Sequence, residues 1–369
     1  MRSAHLRLCK KYNDFVHEFT DINLLLREEK AMELRNFKTE KYLKDGENTY
    51  AQRAAIEKMA DELTERGYKN VVAIGIGGTW AEWYPVVHYM KHRTDLPVYL
   101  CNAAELLVRE DRRFLTKDSL VVTASASGDT KEILEAVRMC KEEGIEVCGF
   151  TKDEDTQLAK ILDRAVYNSC GDCEDSYLMY FMFALRLLYN RGEFDEYIEW
   201  ADQMKVLHKN LLRFREEFEA EAAAIAKKYA RKDYNIFVGS GILWGETYLF
   251  SMCILEEMQW VRTKSVTSAD FFHGTLELVE DGVPVFLFKG VDEYRPLDER
   301  VERFAKEHTD MLTVVDMADY KFEGIDEKFR VICSPMVLTA LVTERLAAHY
   351  ELNTGHSLQF RRYYRQFDY

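Results

Sequence analysis

The stretch that decides the fold is Leu120-Val-Val-Thr-Ala-Ser-Ala-Ser-Gly-Asp-Thr-Lys-Glu-Ile-Leu134. Four β-favouring residues lead into a turn rich in hydroxyl groups, and a helical pattern follows the turn. At such a junction, unpaired backbone N–H groups and the helix dipole place partial positive charge at one point. Ser125, Ser127 and Thr130 add hydroxyl donors, and Gly128 lets a ligand approach the backbone. The stretch therefore predicts a binding site for a phosphate monoester.

The same turn also has a purely structural explanation, because Ser and Thr cap many helices. A second turn favours the phosphate site. Val71-Val-Ala-Ile-Gly-Ile-Gly-Gly-Thr79 is another buried strand that enters a glycine-rich turn before a helical pattern. Two such turns suit neighbouring parallel strands whose carboxyl ends share one edge of a sheet, where ligands bind. Neither turn has the Gly-Lys-Ser/Thr or G-x-G-x-x-G pattern of nucleotide loops.

Composition limits the class of protein. The chain has 369 residues, is 47% hydrophobic and carries a net charge of −14. This length suits two domains, and the acidic balance argues against a nucleic-acid-binding protein. No apolar run reaches the length of a membrane span, and the first residues lack a signal-peptide core. We therefore expect a cytoplasmic protein that does not bind membranes, with its eight cysteines as free thiols.

Alternating strand and helix patterns predict an α/β fold of three layers (α/β/α), with helices on both faces of a parallel sheet. Residues 1–45 form a helical extension, and residues 46–192 form the first domain with the phosphate site. A charged helical connector covers 193–231. A second domain of the same plan covers 232–352, and 353–369 form a C-terminal tail. The repeated plan implies an internal duplication.

The second domain also has a predicted order of elements. A strand begins at Tyr234, and a helix rich in aromatic residues and methionine runs from Trp244 to Trp260. The remaining pattern predicts four more strands and two more helices. The strands are expected at 264–268, 283–289, 311–315 and 329–333, and the helices at 295–307 and 336–351.

Two polar residues of the second domain are candidates for acid/base chemistry. Glu257 lies late in an apolar helix, and His273 lies between two phenylalanines and a glycine. Each has a structural alternative. Adjacent glutamates on a helix point about 100° apart, so one of them is normally solvated. A lone histidine is more often a hydrogen-bonded structural residue. Spacing alone does not bring the two residues together.

These motifs together resemble a known family. The turn at 77–79, the Ser-x-Ser-Gly-x-Thr loop at 125–130 and a glutamate sixteen residues before His273-Gly resemble the sugar isomerase (SIS) domain family. They resemble in particular its two-domain members related to the isomerase half of glucosamine-6-phosphate synthase. The resemblance covers the chain from about residue 45 to its end.

Two further segments narrow the resemblance. Asp270–Pro284 and the tail, with Arg361-Arg-Tyr-Tyr364 and Tyr369, are similar to the deglycases of 6-phosphorylated Amadori compounds. Residue 2 is arginine rather than a nucleophilic cysteine, and the tail has no clear counterpart of the synthase's lysine. Both departures argue against a synthase reaction.

The resemblance implies a homodimer with its active sites at the subunit contact. Glu257 would be the general base and His273 a general acid, which could reach in from the partner subunit. The apolar neighbours of these residues (Met258, Trp260, Phe271 and Phe272) could raise the basicity of the carboxylate by excluding water. The 6-phosphate would be held by the hydroxyl groups of Thr79, Ser125, Ser127 and Thr130.

The expected activity is cleavage of a fructosyl- or glucosyl-amino acid 6-phosphate to hexose 6-phosphate and a free amino acid. Enaminol formation and hydrolysis need no cofactor and no metal, and Cys170-Gly-Asp-Cys173 lacks the second ligand pair of a metal site. Two alternatives stay open. One is aldose–ketose isomerisation or amino-sugar-phosphate deamination on the same scaffold, and the other is a non-catalytic sugar-phosphate sensor.

Overall fold

The computed structural model describes residues 34–169 and 172–367. Most of the expected N-terminal extension, Cys170 of the C-x-x-C pair and Tyr369 lie outside these described residues. Two helices precede the first strand, α1 (Thr39–Ala51) and α2 (Arg53–Arg66). The apolar face of α2 is buried, as its helical spacing predicts, through Ile56, Met59, Ala60 and Leu63.

Five parallel strands form the first sheet, in the order β2-β1-β3-β4-β5. Every residue of β1 and β3 is buried, because helices cover both faces of the sheet. Val71 of β1 lies opposite Leu120 of β3, so the two turns predicted to bind phosphate leave the same edge of the sheet. The strands are β1 (Asn70–Gly75), β2 (Val98–Asn102), β3 (Ser119–Ser125), β4 (Val147–Thr151) and β5 (Arg164–Tyr167).

Alternate residues of β1 supply the two cores of this domain. Val71 and Ala73 pack in one core with α2 and with two further helices, α3 and α6. Val72 and Ile74 pack on the other face, with α4 and α5. The helices that complete the domain are α3 (Gly78–Lys91), α4 (Ala103–Val108), α5 (Lys131–Glu142) and α6 (Cys173–Asn190). The connector contains α7 (Tyr197–Gln203) and α8 (Leu207–Tyr229).

Four parallel strands form the second sheet, in the order β7-β6-β8-β9. This is the plan of the first sheet with one strand fewer, and the predicted fold class is confirmed. The helix α9 begins at Trp244–Tyr248, continues as a π-helix over Leu249–Glu256 and ends in Glu257–Gln259. The other elements are β6 (Tyr234–Gly239), β7 (Arg262–Val266), β8 (Val285–Lys289), α10 (Arg295–His308) and β9 (Leu312–Asp316). The domain boundaries stay a prediction.

The strand predicted at 329–333 is wrong. These residues begin the last helix, α11, which runs through Arg330–Thr339, a π-helical part at Ala340–Leu346 and Ala347–Thr354. Ile332 and Cys333 are fully buried within this helix. A short apolar run fits a buried helix as well as a buried strand, so periodicity alone does not distinguish them.

Helix α11 also contradicts the expectation that no apolar run reaches the length of a membrane span. The helical segment Glu327–Thr354 is long and apolar enough to span a membrane, by length and composition. In the structure 89% of its most apolar window is buried against the rest of the protein. This degree of burial is typical of the core helix of a globular fold.

A backbone contact between α3 and α9 fixes the first domain against the second. A Cβ atom on Gly245 would lie 2.3 Å from the carbonyl oxygen of Ala81. Glycine therefore lets the two helices approach more closely than side chains would allow. The contact is extended by an edge-on ring pair, Trp80 and Tyr248, whose centroids are 5.6 Å apart.

We predict that Gly245→Ala destabilises the protein by about 1–3 kcal/mol, because the new methyl group must push two backbones apart. Gly78→Ala is the matched control, since the nearest atom to its new Cβ is the Cys253 sulfur at 4.0 Å. Urea denaturation of both variants measures the difference. Equal stability of the two variants would contradict the close contact.

A buried carboxyl group lies between α9, α6 and α11. The side chain of Glu246 is fully buried and accepts hydrogen bonds from Tyr177 Oη at 2.8 Å and Thr343 Oγ1 at 2.5 Å. Burial raises the pKa of Glu246 from 4.5 to about 8. The folded protein therefore keeps a proton that the unfolded chain releases near pH 4.5.

Folding thus takes up a proton between pH 4.5 and about 8. The stability that this group contributes is complete below that range and is lost as the pH rises through it, by at most about 1.4 kcal/mol per pH unit. We predict that Glu246→Gln flattens the decline in the free energy of unfolding between pH 5 and 8. Glu65→Gln, at an exposed position of α2, should leave the decline unchanged. Denaturant titrations at several pH values test this, and parallel curves for wild type and Glu246→Gln would refute it.

Candidate functional site

The hydroxyl-rich loop after β3 does not serve as a helix cap. Thr130 occupies the N-cap position of α5, yet its side chain makes no capping hydrogen bond. Ser125 Oγ instead accepts the Gly128 N–H at 3.1 Å and lies 3.1 Å from Thr130 Oγ1. Gly128 has a φ of 65°. The loop is thus held by hydrogen bonds of its own hydroxyl groups, and the Thr130 side chain leaves the first N–H groups of α5 uncapped.

The glycine-rich turn after β1 lies against the helix that carries Glu257. The Cβ position of Gly78 is 4.0 Å from Cys253 Sγ, and Cys253 lies one helical turn before Glu257. Thr79, in the first turn of α3, is partly exposed beside this contact. The structure therefore brings together the turn of the first domain and the candidate base of the second domain.

The end of α9 has an unusual backbone around Glu257. The π-helical stretch Leu249–Glu256 directly precedes it, and such stretches are frequent at functional sites. Trp260 then ends the helix with a φ of 57°, and the Val261 N–H closes the end on the Leu255 carbonyl at 3.0 Å. This position normally favours glycine, and a larger residue costs about 1–2 kcal/mol. A bulky residue is thus kept next to Glu257 despite strain.

The Glu257 carboxylate is paired with an arginine of the C-terminal tail. Arg361 Nε donates to Glu257 Oε1 at 2.8 Å. Burial raises the pKa of Glu257, and the charges of Arg361 and Arg365 oppose that rise. Of the four apolar neighbours expected from sequence, Phe271 and Phe272 pack instead against Phe304 in the second domain. Exclusion of water from Glu257 therefore does not come from these two rings.

The tail also contacts the phosphate loop. Arg365 Nη2 donates to Ser127 Oγ at 3.2 Å and to Asp129 Oδ1 at 2.9 Å. The hydrogen bond from Ser127 lowers the pKa of Asp129, and the charge of Arg365 acts in the same direction. Arg361 and Arg365 are four residues apart, a span of at most about 14 Å. One short segment of the tail therefore contacts both the hydroxyl loop and Glu257.

A cavity of about 580 Å³ opens beside Glu257. The end of α9 and the start of β7 form one wall, and the tail forms the other. Its lining combines aromatic rings, two glutamates and three arginines: Glu256, Glu257, Trp260, Val261, Arg262, Thr263, Arg361, Arg362, Tyr363 and Tyr364. A volume of this size accommodates a small-molecule ligand.

His273 does not line this cavity. It ends a short 3₁₀ turn, Phe271–His273, where its backbone N–H bonds to the Asp270 carbonyl at 2.9 Å. The side chain is exposed, and no hydrogen bond to it is present among residues 34–169 and 172–367. Within one chain, His273 and Glu257 are not brought together. The roles predicted for both residues, and for the four hydroxyl residues, stay predictions.

One group of possible metal ligands exists in the described part of the chain. His88, His92 and Glu293 have ligand atoms within 4.8 Å of one another. They lie at the end of α3 remote from the glycine-rich turn, about 20 Å along the helix axis from Gly78. This cluster is therefore separate from the site around Glu257.

Comparison with known proteins agrees with this geometry, although no family model matches the chain. Fructosamine deglycase FrlB of Bacillus subtilis is 28% identical over 316 residues, which cover 84% of this chain and 95% of that protein. The resemblance to the sugar isomerase proteins is confirmed. Fructoselysine 6-phosphate deglycase of Escherichia coli is 23% identical, over 84% of this chain and 89% of the enzyme.

A solved structure shows the same sugar isomerase fold. A candidate phosphosugar isomerase of Bacillus subtilis superimposes with a TM-score of 0.80 and 25% identity. The match covers 86% of this chain and 100% of the other. Nearly the whole two-sheet arrangement of this chain is therefore shared with a protein of the sugar isomerase group.

Sequence analysis missed the functional position of the tail. Arg361 and Arg362 carried the resemblance to one branch but were given no role, and Arg365 was not singled out. A signal was present, because three arginines within five residues are unusual in a chain of net charge −14. Such a cluster suggests an anionic ligand, but the sequence does not show which surface the tail covers.

Proposed function

We propose that the protein is a deglycase of 6-phosphorylated Amadori compounds. One observation carries the proposal: the C-terminal tail pairs with Glu257 through Arg361 and with the hydroxyl loop through Arg365. A single extended ligand can therefore reach both groups. The deglycases among its relatives support the nature of that ligand.

The phosphate end of the substrate binds at the first domain. Ser125, Ser127 and Thr130 offer hydroxyl donors, Thr79 adds a donor from the neighbouring turn, and the start of α5 contributes backbone N–H groups. Arg365 supplies a positive charge beside Ser127. The dianionic phosphate then provides binding energy remote from the reacting carbons, which positions C1 and C2.

Glu257 acts at the other end of the open-chain substrate. Its carboxylate takes a proton from C1, and the C2 carbonyl oxygen gains a proton, which gives an enaminol. Return of a proton to C2 leaves a C1=N double bond and a hydroxyl group on C2. Water then adds to C1 and the amine departs, so that hexose 6-phosphate and a free amine are the products. A positioned general base typically contributes about 10²–10⁴ to the rate.

The active unit of this proposal is a cytoplasmic homodimer. His273 is exposed on its own chain, which fits a residue that serves the site of the partner subunit. Exposed aromatic side chains near the cavity offer an apolar surface for that contact. They are Trp260, Phe360, Tyr363 and Tyr364. His273 would protonate oxygen or nitrogen during ring opening and amine release.

We predict that Glu257→Gln abolishes turnover and leaves substrate binding largely intact, because glutamine keeps the shape but cannot accept the C1 proton. Release of hexose 6-phosphate and of amine measures turnover, and calorimetry measures binding. Glu65→Gln, on the exposed face of α2, is the matched control. Normal turnover by Glu257→Gln would exclude it as the base.

We predict that Ser127→Ala raises KM for the phosphorylated substrate by about tenfold, the value of one charge-assisted hydrogen bond of about 1.5 kcal/mol. The preference over the dephosphorylated compound should fall by the same factor. Ser357→Ala provides a hydroxyl deletion in the tail segment before Arg361. An unchanged KM in Ser127→Ala would place the phosphate elsewhere.

A further inference from the structure

The cavity beside Glu257 is cationic in an otherwise acidic protein. Its wall carries three arginines and two glutamates, a net charge of +1, whereas the whole chain carries −14. Arg262 and Arg362 form no ion pair with any residue that the structure describes. A polar cavity with unpaired cations next to a reactive carboxylate is arranged for a ligand with a negative charge.

Arg362 is held in place without a charged partner. Its guanidinium lies 4.1 Å from the centroid of the Trp260 ring, in a cation–π contact. The Trp260 ring also packs against the His356 ring, and the two ring centroids are 4.2 Å apart. The left-handed backbone of Trp260 turns this ring toward the tail. Trp260 thus positions the Arg362 guanidinium, which forms no ion pair among the described residues, at the cavity wall.

Arg361 places a second guanidinium close to the reacting carbons. Its Nε is 2.8 Å from the Glu257 carboxylate, and a base lies about 3 Å from the carbon it deprotonates. The guanidinium is then within about 6 Å of C1. Its Nη1 donates to the carbonyls of Leu358 and Phe360, whereas no hydrogen bond from Nη2 is present among the described residues. One face of Arg361 is therefore free for a ligand.

The position of a carboxylate in the substrate depends on which nitrogen carries the sugar. In an adduct on an α-amino group, the carboxyl carbon is three bonds from C1, within about 4 Å. In an adduct on the side-chain amine of lysine it is seven bonds away, up to about 9 Å. The first places its charge beside Arg361 in every conformation while C1 stays at Glu257, whereas the second does so only when its long chain folds back.

We propose that this cavity binds the α-carboxylate of an amino acid joined to the sugar through its α-nitrogen, with Arg361 and Arg362 as the carboxylate-binding residues. This inference rests on the deglycase function proposed above and narrows its substrate class. The phosphate is recognised separately, at Ser127 and Arg365. An extended six-carbon chain spans about 9 Å from C1 to phosphorus, which fits within the reach between the two arginine positions.

The same contact links recognition to catalysis. Arg361 is paired with Glu257. An arriving carboxylate takes up hydrogen bonds from that guanidinium and weakens its hold on Glu257, so the base becomes a better proton acceptor. A substrate without a carboxylate leaves the Arg361–Glu257 pair intact. Such a substrate should lose kcat as well as affinity.

The test compares three 6-phosphorylated fructosyl compounds with the full-length protein: the α-adduct of valine, the adduct of 2-methylpropylamine, which lacks only the carboxylate, and the ε-adduct of lysine. We expect kcat/KM for the valine compound to exceed that of each of the others by about tenfold to a hundredfold. Equal values for the valine and 2-methylpropylamine compounds would overturn the proposal.

Two variants assign the effect to the cavity. Arg362→Met keeps the apolar stem over Trp260 and removes the charge, so it should lower kcat/KM for the valine compound and leave the 2-methylpropylamine compound unchanged. Arg303→Met, an exposed arginine of α10 with no ion pair among the described residues, should change neither value. An equal loss on both compounds in Arg362→Met would show a structural role only and refute the assignment.

Binding separates failure of this inference from failure of the deglycase function. Analogues in which the C2 carbonyl is reduced to an alcohol cannot form the enaminol, so calorimetry reports binding without turnover. Tighter binding of the valine analogue, lost in Arg362→Met, supports the carboxylate site even if no compound is cleaved. Equal binding of analogues with and without the carboxylate excludes it even if all three compounds are cleaved.

Discussion

The close approach of α3 and α9 at Gly245 is the contact on which the site depends. The hydroxyl loop and the glycine-rich turn belong to the first sheet, whereas Glu257 belongs to the second domain. Because a Cβ atom at Gly245 would meet the Ala81 carbonyl at 2.3 Å, the two helices can lie backbone to backbone. Their contact sets the distance between the hydroxyl loop and Glu257, which under the proposed function must match the length of one substrate.

The tail carries positive charges that the two turns of the first sheet lack. The two turns at the sheet edge, Gly75–Thr79 and Ser125–Thr130, contain no basic residue, so they offer only hydroxyl and N–H groups to a phosphate. The tail brings the arginines. Burial at Glu257 favours the protonated acid, and Arg361 favours the carboxylate, so the proton affinity of the base reflects two opposed effects. Arg361 of the tail therefore influences the proton affinity of Glu257 in α9.

Features that depend on neighbouring residues were predicted from the sequence, whereas contacts between distant residues were not. The strands near 71–75 and 119–124 were identified because each is an uninterrupted apolar run bounded by a turn. The run at 329–333 was misassigned, since burial within a long helix produces the same composition as a central strand. A shared site for Glu257 and the hydroxyl loop was implied only by the family resemblance, and the contacts of Arg361 and Arg365 with these two groups came only from the structure, because they depend on the tail folding back. Local patterns carry no information about such a contact.

Under the proposed function, the tail makes the recognition of the two substrate ends interdependent. Arg361 and Arg365 are separated by three residues, so a shift of one guanidinium toward its ligand alters the reach of the other. Both guanidinium groups are paired with protein carboxylates, Glu257 and Asp129. The Arg365–Asp129 pair is half-exposed and therefore weak, about 0–1 kcal/mol, so an anionic ligand can replace it at small cost, whereas the Arg361–Glu257 pair is largely buried. Under the proposed function, a compound with anions at both ends engages Arg361 and Arg365 together, so binding at one end changes the contacts of the tail at the other.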